Sequence, residues 1–109
     1  MVKSVFKLKN GLIESVKVTG HSEVIQDFSI TMGDVVCASI STAIIVTVNA
    51  LESLKVNQNV DLEVKKGYFK AVIKSHDSVV DGLFNNLAYT FNDLSKQYPK
   101  YMKNQKEEG

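Results

Sequence analysis

Apolar and polar positions alternate from the start of the chain. Val2, Phe6 and Leu8 fall on one face of residues 2 to 8, while Lys3, Lys7 and Lys9 fall on the other, which is the period of a half-buried strand. Asn10-Gly11 suits a type I′ turn, and Leu12 to Thr19 supplies a return run, so the stretch predicts a β-hairpin. A second hairpin is signalled by Val60, Leu62 and Val64 alternating with Asp61, Glu63 and Lys65. A turn at Lys66-Gly67 follows, then Phe69, Ala71 and Ile73 alternating with Lys70 and Lys74.

Between the hairpins, residues 34 to 54 have a helical pattern that is apolar most of the way round: Val36, Ile40, Ala43, Ile44, Val48 and Leu51 on one side, Val35, Val46 and Ala50 on another. Such a helix needs covering on more than one side. After the second hairpin, Val80, Leu83, Phe84, Leu87, Phe91, Leu94 and Tyr98 keep helical spacing, with Ser75 or Asp77 as the N-cap and Pro99 as the stop. The order is ββαββα. It predicts an α+β fold, a four-stranded antiparallel sheet made of two hairpins with both helices on one face. Residues 1–98 are expected to form a single domain, and 99–109, rich in Lys and Glu, a flexible tail.

Composition narrows the classes. A chain of 109 residues with 44% apolar content has enough for one modest core. Thirteen Lys plus Arg against twelve Asp plus Glu leave a net charge of +1, so no overall field attracts phosphate backbones or anionic lipid, and direct nucleic-acid binding is not expected. One cysteine cannot form an internal disulfide, and the first residues lack the apolar run of a signal peptide; both favour the cytoplasm. The uncharged stretch Val35 to Leu51 includes Ser39, Ser41, Thr42, Thr47 and Asn49. It falls short of the roughly 20 apolar residues of a membrane span and reads as a buried helix. No glycine-rich phosphate loop is present, no cofactor is implied, and the lysines at 96, 100, 103 and 106 read as a solvated tail.

The candidate chemistry lies between the first hairpin and the first helix. His21 follows Gly20 at the end of the second strand, and Cys37 falls in the first helical turn, just after Gly33-Asp34. A thiol near a helix N-terminus is favoured as thiolate, and a neighbouring imidazolium favours it further. Cys37 would then attack a peptide carbonyl. His21 would protonate the departing amine and activate the hydrolytic water, with amides near the helix start, that of Cys37 included, holding the oxyanion. Asp34, Cys37 and Ser41 share one helical stripe, so Asp34 would orient the imidazole and Ser41 would donate toward the sulfur. Plainer readings stand beside these: Cys37 as a small buried hydrophobe, Asp34 as a helix-start carboxylate, and Ser41 bonding back to the Cys37 carbonyl. His76, beside the second helix, is the rival base, and its ordinary reading is a loop or capping histidine. A metal site would need two histidines and one cysteine to converge from three separate elements, so none is expected.

At Gly20-His21-Ser22, Asp34-Val35-Val36-Cys37-Ala38, Ser41 and Asn49-Ala50-Leu51-Glu52 the sequence resembles the ribosomal-processing cysteine proteases of bacteria. The resemblance implies an endopeptidase that removes a short N-terminal extension from a large-subunit ribosomal protein, number twenty-seven of that subunit. By position it assigns the catalytic histidine to His21, the nucleophile to Cys37, and the nearby aspartate and serine to Asp34 and Ser41. It also implies a homodimer, which the apolar first helix would suit. In this family the loop after the histidine is shorter and contains glycine, whereas Ser22 to Met32 has none, and Met32 stands where glycine is expected before Gly33. Ser22, Phe28 and Gly33 are the candidate substrate-loop residues, with Val24, Ile25 and Ile30 as further apolar contacts for the peptide. The competing function is a non-catalytic, ribosome-associated peptide- or RNA-binding module.

Overall fold

The structure is a computed structural model of the 109-residue chain, described here for residues 1–20 and 32–109. The elements run β1 (Val2–Lys9), β2 (Leu12–Thr19), α1 (Met32–Ser53), a short 3₁₀ turn (Asn57–Asn59), β3 (Val60–Lys65), β4 (Tyr68–Ile73), α2 (Ser78–Gln97) and β5 (Met102–Glu108). Both predicted hairpins form. At the first turn Asn10 and Gly11 take φ values of 53° and 80°, the paired positive φ of a type I′ turn.

The sheet has five strands in the order β3-β4-β2-β1-β5, so the expected four-stranded, wholly antiparallel sheet is corrected. The extra strand comes from the residues expected to be a flexible tail. β5 runs parallel to β1, from Val2 opposite Met102 to Leu8 opposite Glu108, and makes the sheet mixed. Met102 is buried, and the Ser4 hydroxyl donates to Asn104 Oδ1 at 2.6 Å, closing an otherwise unpartnered polar group inside β1.

Alternation decides which face is covered. Phe6, Val16, Val18, Phe69 and Ala71 are buried on the helix side, and the Phe6 ring meets Phe91 of α2 edge-on at 5.9 Å. A bulge between Lys7 and Leu8 in the register of β1 and β2 keeps both Phe6 and Ile13 on this face. Asp77, not Ser75, caps α2, accepting from the Val80 amide at 2.8 Å.

Helix α1 departs from expectation. Val36, Ile40, Ile44, Thr47 and Leu51 line its buried face, but Val35, Ile45 and Val46 are exposed by 42%, 57% and 60%, so the described residues bury one side of it. Its 22 residues include an 18-residue stretch of mean hydropathy 1.8, so by length and composition alone it could cross a membrane, a property that core helices of globular proteins share. Its buried face is nevertheless part of the single core cluster. Leu62 and Val64, on the same face of edge strand β3 as the buried Ala71 and Phe69, are also uncovered.

Candidate functional site

Two described positions flank residues 21–31, within which His21 falls. On one side, Gly20 follows β2 with φ +85°, donates its amide to Gly67 O at 3.0 Å, and lies so close to the Met1 carbonyl that a Cβ there would collide with it. Only glycine fits, for reasons of both angle and space. On the other side, α1 begins at Met32, with Gly33 and Asp34 in its first turn. His21, Ser22 and Phe28, together with Val24, Ile25 and Ile30, lie outside the described residues.

Cys37 is half-buried, carries a free thiol and packs against the core. Because α1 starts at Met32 and not at Asp34, Cys37 belongs to the second turn. A helix leaves only its first four amides without an intrahelical partner, so the Cys37 amide falls inside the ladder. The Cys37 amide, expected to help hold an oxyanion, is thus committed within the helix, and the amides without an intrahelical partner are those from Met32 to Val35. Asp34 occupies the first turn, where the helix dipole favours a carboxylate.

Ser41 is the informative neighbour. Ser39, Thr42 and Thr47 each donate to the carbonyl four residues back, Val35, Ala38 and Ala43, at 2.8, 2.8 and 2.9 Å. Ser41 Oγ is buried and makes no such bond, nor any other hydrogen bond among the described residues. The back-bonding reading of Ser41 is thus not found. A buried hydroxyl normally has a partner, and this one lies a turn beyond Cys37 on the same stripe.

His76, the rival base, is engaged elsewhere. Its Nδ1 lies 2.7 Å from Asp81 Oδ1 in α2, and its Nε2 lies 3.4 Å from Glu14 Oε1 in β2, an ion-pair contact without hydrogen-bond geometry. The hydrogen bond with Asp81 raises the His76 pKa above its usual value, against partial desolvation and with a further contribution from Glu14. This imidazole ties the first hairpin to α2. Among the described residues no group of three or more His, Cys, Asp or Glu side chains is placed to hold a metal ion. A cavity of about 240 Å³ between the first hairpin and α2, floored by Phe6 and Ile13 and rimmed by Asn85, Tyr89 and Asn92, includes none of the candidate residues.

The family model described as Cysteine protease Prp matches residues 1–103. No curated protein matches the sequence. Among solved structures, the SMU.848 protein of Streptococcus mutans is 25% identical with a TM-score of 0.78, covering 100% of this chain and 96% of its own. The essential ribosomal processing protease Prp from S. aureus, in complex with a covalently linked product peptide, is 15% identical with a TM-score of 0.80 over 98% of this chain and 100% of its own. The same S. aureus protease with a substrate peptide matches at 16% identity and a TM-score of 0.79, with the same coverage. With the family model spanning nearly its whole length, including Gly20-His21 and the start of α1, this chain belongs to the cysteine protease Prp family.

Proposed function

We propose that this cysteine protease removes the N-terminal extension of large-subunit ribosomal protein number twenty-seven in the cytoplasm, with Cys37 as nucleophile and His21 as general base and acid. The observation that carries the reading is the Asp34, Cys37, Ser41 stripe at the start of α1, joined by one segment to the Gly20-His21 strand end. The Cys37 sulfur attacks the scissile carbonyl, and His21 passes a proton to the departing amine. Water activated by His21 then hydrolyses the thioester. Ser41 Oγ, with no carbonyl to serve, is free to donate toward the sulfur or the bound peptide. The covalently linked product peptide of the S. aureus protease is in keeping with a nucleophilic mechanism, and its name supports a ribosomal substrate.

The working unit in this reading is a homodimer. Ile45, Val46, Leu62 and Val64, exposed by 57%, 60%, 40% and 63%, are the apolar side chains that a second copy would cover. The test is cleavage of a precursor carrying the extension. Wild type is expected to turn over many equivalents, while Cys37→Ala and His21→Ala lose cleavage by at least about a thousandfold. Stoichiometric binding without turnover by wild type would mark a binding module instead.

A further inference from the structure

The net charge of +1 conceals a marked asymmetry that appears only once the strands are in register. On the sheet face turned away from the helices, Lys103, Lys3, Thr19, Tyr68 and Lys65 form one row across the strands. In the next row Lys17 stands directly opposite Lys70, with Val5 and Glu63 on either side, and Lys7 follows on β1. The carboxylates of this face, Asp61, Glu63 and Glu107, lie on the two edge strands. Asp61 is paired with Lys74 at 3.2 Å and Glu63 with Lys65 at 3.0 Å. Lys3, Lys7, Lys17, Lys70 and Lys103 have no ion pair among the described residues.

Two features of this face ask for an anion. Lys17 opposite Lys70, and Lys3 opposite Lys103, are like charges directly across a ladder, an arrangement that destabilises a sheet when nothing lies between them. This cluster of lysines is also accompanied by an aromatic ring. Tyr68 is half-buried in the first row, with Lys65 Nζ 5.8 Å from its centroid, a platform on which a base can stack beside a cation. We propose that this open sheet face binds the phosphate backbone of RNA, with Lys3, Lys7, Lys17, Lys70 and Lys103 contacting phosphates and Tyr68 supplying the stacking surface. Lysines at alternate positions on a strand are about 6.6 Å apart, and neighbouring strands about 4.8 Å, so the face offers a two-dimensional grid of cations to a flexible strand. A lipid surface fits less well, because the apolar side chains set among these lysines, Val5 and Val72, are small, and no Trp, Phe or Leu projects from between them to enter an acyl layer. The assignment is independent of the peptidase reading.

The experiment uses the full chain, both wild type and Cys37→Ala, with a fluorescent 20-nucleotide single-stranded RNA and anisotropy as the readout. The expected affinity is roughly 1–100 μM near physiological salt, with a log–log salt slope of about −3.5 for five phosphate contacts. Lys17→Gln combined with Lys70→Gln is expected to weaken binding on the order of tenfold and reduce the slope by about 1, while Lys55→Gln combined with Lys96→Gln, off this face, leaves it unchanged. Cleavage of a short peptide should be unaltered in the Lys17, Lys70 variant. Its melting temperature should hold or rise, since a repulsive pair is removed, which separates lost binding from lost folding. No RNA binding at low salt, binding indifferent to Lys17 and Lys70, tighter binding to duplex DNA, or sedimentation with phosphatidylserine vesicles in place of RNA binding would each overturn the proposal.

Discussion

Among single residues, Gly20 is the one whose replacement is most diagnostic. Its φ of +85° and the Met1 carbonyl beside it leave no room for a side chain, so Gly20→Ala must move the main chain next to His21. Gly11 has nearly the same φ, +80°, but nothing within 4 Å of its missing Cβ, which makes Gly11→Ala a control for angle alone. Both substitutions are expected to cost about 1 kcal/mol in backbone strain, and only Gly20→Ala should also cut kcat/KM, by tenfold or more, in a fluorogenic peptide assay. Ser41→Ala removes the unpartnered hydroxyl one turn from the nucleophile. If that hydroxyl serves the reaction, the substitution is expected to lower kcat/KM for the peptide severalfold without a large loss of stability, since no hydrogen bond is broken. His76 acts on stability. With its folded pKa raised above the unfolded value near 6.5, it stabilises fully below that value and loses the contribution as pH rises through the folded pKa. His76→Gln should therefore lower the melting temperature at pH 5.5 more than at pH 8.5, while leaving peptide cleavage largely intact; equal losses at both values would refute the ion-pair account.

At the scale of elements, β5 was the part least legible in the sequence. Met102 to Glu108 has one buried apolar residue and otherwise Lys, Asn, Gln and Glu, the composition of a solvated end. What makes it a strand is the backbone ladder offered by β1 nearly a hundred residues earlier, and no local pattern announces that partner. Its charged side chains also suit an edge, where they discourage pairing with other molecules. Removing residues 102–109 uncovers the β1 edge, Val2 and Ser4, so the truncated chain is expected to unfold at markedly lower denaturant concentration in a urea titration followed by circular dichroism. The two helices and two hairpins were legible because each carries its own period, turn chemistry or cap: Asn10-Gly11, Gly67 and Asp77 all occupy the conformations those residues favour.

For the whole molecule, the open question in the sequence was how a helix apolar on most sides is covered. The sheet and α2 bury the Val36, Ile40, Ile44 and Leu51 side, leaving Ile45 and Val46 largely exposed. If a second copy covers them, Ile45→Glu should shift wild-type protein from dimer to monomer in sedimentation velocity at micromolar concentration, with the fold retained by circular dichroism. A wild-type protein that already sediments as a monomer would remove the dimer from the proposal. The basic sheet face belongs to this scale too, because lysines from β1, β2, β4 and β5 become one surface only through strand order.

The elements that depend on neighbours a few residues away were legible in the sequence, and His21, Asp34, Cys37 and Ser41 became candidates there through their spacing together with the family resemblance. Tertiary structure alone decided what depends on distant pairing: the fifth strand, the second-turn position of Cys37 within a longer α1, the commitment of His76 to Asp81 and Glu14, and the lysine face. Periodicity shows which side of an element is apolar. Which other element, strand edge or charge meets that side is settled by closing the chain over long separations, where the competing ladders and contacts are compared for the first time.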